Sequence, residues 1–99
     1  MTVHELREQM MVVPYPELEP HVRRGAVILV DASLDLAETA LLMAENQHLK
    51  VKTLLDQGLL TKASPADLDL WRQEKAFFEF IVIQPFVVGK RFLNLKKES

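Results

Sequence analysis

Gly25-Ala26-Val27-Ile28-Leu29-Val30-Asp31-Ala32-Ser33-Leu34-Asp35 is the stretch whose reading decides the fold. Residues 26–30 form a continuous aliphatic run between Gly25 and Asp31, which suits a strand buried on both faces. Directly after it the period changes. Leu34, Ala37, Leu41, Ala44, His48, Val51 and Leu55 recur at steps of three and four, the pattern of a helix with one apolar stripe. Ser33 is a candidate cap for that helix, Asp35 followed by Glu38 matches a capping box, and Gly58 marks the end. One unbroken helix over 35–57 would run about 35 Å at 1.5 Å per residue, as long as a domain of this size. A break is therefore expected near Asn46-Gln47-His48.

Working outward, residues 59–62 fit a short edge strand. Ser64-Pro65-Ala66-Asp67 combines a cap, a proline at the first helical position and an acid at the positive end of a helix. That helix should carry Leu68, Leu70 and Trp71 and end near Lys75 or Ala76. Phe77 to Ile83 is apolar except for Glu79, and Phe86 to Val88 resumes the pattern, which predicts one long strand bent or split by Pro85. Pro14-Tyr15-Pro16, with Pro20 just after, reads as a turn or entry loop. The order of elements predicts an α+β fold, a small mixed or antiparallel sheet with helices packed on one face. The whole chain, 1–99, is expected to be one domain, with 1–9 and 93–99 loosely ordered.

A chain of 99 residues has no room for a second domain, and area scaling gives roughly 65% burial, enough for a real core. A large enclosed pocket would compete with that core for side chains. Residues 90–99 hold four basic residues and one acidic, so 1–89 carries a formal charge of -5. An acidic body disfavours phosphate tracking, and nucleic-acid binding with it. The cysteine-free composition removes disulfides, thiolate zinc sites and thiol nucleophiles, and is compatible with a reducing compartment. The first residues carry acids where a signal peptide needs an apolar run. The longest uncharged run, residues 80–89, is about half a membrane span. We expect a cytoplasmic protein with no membrane partner.

Asp31, Asp35 and Glu38 form the densest polar cluster, at the C-terminal end of the predicted strand, where open sheets often bind ligands. A calcium loop starting at Asp31 would need Gly and Glu where the chain has Leu36 and Leu42. Capping and turn formation explain the three acids without a ligand. His4, His21 and His48 match no zinc spacing, and His48 interrupts the apolar stripe as a hydrogen-bonded or interfacial histidine near a helix break. Ser33 and Ser64 sit in no nucleophile elbow, and Gly25, Gly58 and Gly89 are isolated, so neither a phosphate loop nor a dinucleotide fingerprint is present. No catalytic residue, metal ligand or cofactor is assigned, and we expect no enzyme.

The aromatics Trp71, Phe77, Phe78, Phe80, Phe86 and Phe92 fall in the last third and should supply much of the core. Phe80-Ile81-Val82-Ile83 is apolar on both faces. Either helices from both halves of the chain sandwich it, or a second copy covers one side; the reading leans to a homodimer. Trp71, Phe80 and Phe86 are the candidate interaction residues.

Arg24-Gly25-Ala26-Val27-Ile28, Leu34-Asp35-Leu36, Met43-Ala44-Glu45, Leu54-Leu55 leading to Gly58, Trp71 and Ile83-Gln84-Pro85-Phe86-Val87 together resemble a small bacterial family, domain of unknown function 2288, over residues 5–89. Phe86 stands where that family has Trp, and Asn46 where an acid is more usual. The resemblance implies a compact bacterial cytoplasmic protein and adds no catalytic residue. The resulting expectation is a non-enzymatic interaction or regulatory module that self-associates or binds another protein. It would use its strand edges or its C-terminal helix. The alternatives are a winged-helix-like nucleic-acid module, on the spacing around Gly58 to Pro65, and a small metal-dependent binder or enzyme at Asp31, Asp35 and Glu38.

Overall fold

In the computed structural model, which describes residues 2–92, the chain forms one mixed sheet of five strands with helices on both of its faces. The elements in order are α1 (Val3–Glu8), β1 (Met11–Pro14), a 3-10 turn (Tyr15–Leu18), α2 (Glu19–Arg23), β2 (Val27–Val30), α3 (Leu36–Ala44), α4 (His48–Asp56), β3 (Leu60–Lys62), α5 (Pro65–Glu74), β4 (Phe77–Ile83) and β5 (Phe86–Phe92). The strands lie in the order β1-β4-β5-β2-β3. Only β2 and β5 run parallel, with Val27 opposite Val87 and Leu29 opposite Gly89; the other neighbours are antiparallel.

The α+β class and the mixed sheet are as expected; the placing of the helices is not. Alternation along the strands divides the core in two. Val27, Phe78 and Val87 point to one side and pack with Leu18, Val22, Leu68 and Trp71 from the 3-10 turn, α2 and α5. Val30, Ile81 and Val88 point to the other and pack with Leu6, Leu36, Ala37 and Ala40 from α1 and α3. Helices from both halves of the chain thus enclose the sheet. Phe78 and Ile81 of β4 find cover on opposite faces within one chain, while Phe77 and Val82 stay 47% exposed.

Two further expectations change. Residues 1–9 were expected to be loose, yet Val3–Glu8 is helical. The Thr2 hydroxyl accepts from the Glu5 amide at 3.1 Å, the Glu5 carboxylate accepts from the Thr2 amide at 2.8 Å, and Leu6 is fully buried. Residues 93–99 lie outside the described residues. At Pro85 the run is split, one of the two expected outcomes, but the chain also reverses there. Gln84 and Pro85, joined by a cis peptide, make a two-residue turn, and β5 pairs with β4 along its whole length, from Ile83 opposite Phe86 to Phe77 opposite Phe92. Proline cannot extend the ladder, and two strands of seven residues each complete a hairpin.

The expected break falls where the sequence places it. Asn46 adopts a left-handed backbone (φ 58°), its amide donates to the Met43 carbonyl at 3.2 Å, and the Gln47 amide donates to the Leu42 carbonyl at 3.0 Å. That is a Schellman ending, so α3 stops and α4 starts in a new direction. Gly58 repeats it at the end of α4 (φ 76°), and Lys75 at the end of α5 (φ 53°).

Candidate functional site

The three acids singled out in sequence lie near one another but converge on no common point. The Asp31 carboxylate accepts the Ser33 hydroxyl at 2.5 Å and the Ser33 amide at 2.9 Å, an Asx turn that leads out of β2. The Ser33 hydroxyl, then its amide, holds the Asp31 carboxyl below the ordinary carboxylate range. Ser33 therefore serves the turn, and Asp35 is the cap of α3. Its carboxylate accepts the Glu38 amide at 2.9 Å, and that bond, with help from Arg7 at 3.2 Å, keeps its pKa low against slight burial. Glu38 faces the same guanidinium at 3.9 Å. Lys90 donates to the Leu34 carbonyl at 2.6 Å. Each acid is thus engaged by a turn, a helix end or Arg7. Among the described residues no group of three or more His, Cys, Asp or Glu side chains is placed to hold a metal ion.

The aromatic candidates separate. Trp71 is buried, 4.5 Å between ring centroids from Phe78 at a 58° tilt, so it is core and presents no surface to a partner. Phe80 is half-buried against the same cluster. Phe86 alone reaches the surface, 37% exposed.

The strand edges are poorly suited to pairing. The Tyr15 amide donates to the Ala76 carbonyl at 2.9 Å, and this fixes the phase of the β1–β4 ladder. Met11 and Val13 bond inward, while Val12 and Pro14 turn their backbone outward. Pro14 has no N–H, and the Met10 amide is taken by the Arg7 carbonyl at 3.3 Å, so this edge has little to donate. The opposite edge, β3, is three residues long and ends in Lys62. On the C-terminal helix α5, Leu70 is the one large hydrophobic side chain that is mostly exposed.

The surface feature that sequence reading missed lies between α4 and the β4–β5 turn. There, an open groove of about 410 Å³ runs between the α4 stripe His48, Val51, Lys52 and Leu55 and the turn residues Ile83 to Phe86, with Leu42 and Met43 of α3 as its floor. The stripe is one helix face, at steps of three and four. His48 is exposed and lines the groove at the start of α4. α4 has no buried side chain at all; Leu49 is 81% exposed and Leu55 47%. Its N-terminus also differs from those of α1, α3 and α5: Gln47 makes no capping bond and the first turn holds no acid. The sequence signal was present in the apolar positions of α4, which read as the second half of one apolar stripe and not as the wall of a groove.

A family model described as protein of unknown function (DUF2288) matches residues 2–91, nearly the entire chain. The chain belongs to the DUF2288 family. The resemblance seen in the sequence motifs is therefore sound, and the Asn46 and Phe86 departures both line the groove. Among solved structures, the NMR solution structure of PA1075 from Pseudomonas aeruginosa is similar, with a TM-score of 0.81 and 28% identity over 98% of this chain and 91% of that one. No curated protein matches. The DUF2288 fold thus recurs in a bacterial protein across almost its full length. Among the described residues no helix is long and apolar enough to cross a membrane.

Proposed function

We propose that this DUF2288 protein is a non-enzymatic protein–protein interaction module that docks a partner along the groove between α4 and the β4–β5 turn. One observation carries the reading: α4 is a nine-residue helix with no fully buried side chain, and its Val51 and Leu55 line an open channel shared with Phe86. A helix that buries so little contributes little to its own fold, and its exposed apolar face is what a helix-in-groove partner uses. The cytoplasm is the proposed compartment, on the cysteine-free composition. The metal-dependent alternative has less support because Asp31, Asp35 and Glu38 already serve turns, caps and Arg7. The nucleic-acid alternative has less support because Arg72 is paired with Asp69 at 3.3 Å and residues 1–89 carry a formal charge of -5.

The test is affinity capture from the source cell's extract with the wild-type chain, Leu55→Glu and Leu70→Glu as baits. A protein retained by wild type and Leu70→Glu but lost with Leu55→Glu supports the reading. Equal retention by all three, or loss only with Leu70→Glu, would refute it. Light scattering on the same samples reports self-association through this face, which Leu55→Glu would then abolish.

A further inference from the structure

We draw no further inference here: the strongest candidate, the open groove between α4 and the β4–β5 turn, belongs to the docking site already proposed, and nothing in the structure shows what covers it.

Discussion

Lys75→Gly should make this protein more stable, although it removes a side chain and adds no contact. Lys75 ends α5 with φ 53° and ψ 49°, a left-handed conformation that costs an L-residue roughly 1–2 kcal/mol. Its amide donates to Arg72 at 3.3 Å and the next amide, of Ala76, to Trp71 at 3.0 Å, so the conformation is held by the helix ending itself. The Lys75 side chain is exposed and has no ion-pair partner among the described residues, and removing it leaves those bonds in place. Glycine adopts the conformation freely but loses about 0.4–1 kcal/mol through its looser unfolded state, so the net gain is about 0.5–1 kcal/mol. For a chain of this length that is roughly 2–6 °C in Tm. Trp71, the single tryptophan, sits buried against Phe78 and reports urea unfolding by its fluorescence. Gly58→Ala is the internal control. A Cβ there meets nothing within 4 Å, so its expected loss of about 1 kcal/mol comes from the backbone alone. An unchanged or lower midpoint for Lys75→Gly, with Gly58→Ala destabilised, would refute the ending assigned to α5.

Trp71→Ala should cost about 3–5 kcal/mol, a large part of the total stability of a small domain, and is measured by circular dichroism in urea because the fluorophore is lost. Asp35→Asn keeps a capping oxygen and removes a carboxylate whose folded pKa is depressed. A depressed carboxylate stabilises above its unfolded pKa of about 3.9, and that stability is lost as pH falls through the folded value. The variant should therefore show a shallower fall in Tm than wild type between about pH 5 and pH 2, and parallel curves would contradict the assignment. Gln47→Asp supplies the acceptor α4 lacks and an acid at its positive end, for a gain of about 0.5–1 kcal/mol visible as a raised melting temperature.

How far the sequence was legible depended on how local each signal is. The strand at residues 27–30, the break at Asn46, the edge strand at 60–62 and the helix from Pro65 were all readable, because each is marked by a run, a left-handed residue or a cap within a few positions. The first third was not. α1, β1, the 3-10 turn and α2 span four to six residues each, too short for any period to show, and their order comes from burial of Leu6, Leu18 and Val22 against distant strands. The two-sided cover of the sheet was open for a different reason: α3 and α5 were both readable, but only the strand order places them on opposite faces. Trp71 was misassigned because a large aromatic on an amphipathic helix reads alike whether it faces core or partner; only Phe78, seven residues on and across a turn, decides it. The acids were legible as caps and turns, and Arg7, 28 residues from Asp35, could not have been placed beside them.

The sheet also explains why a groove survives beside a packed core. α1 and α3 cover the row Ile81, Val88 and Val30, and α3 must stop at Asn46 because its Schellman ending sends the chain away from the sheet. The next row along the hairpin, Ile83 and Phe86, lies beyond that stop. α4 returns toward it, with Val51 and Leu54 packed against the core, and leaves His48, Lys52 and Leu55 across a gap from the turn. The groove is thus what the fold leaves where α3 ends one row short of the β4–β5 turn and α4 does not reach across to it.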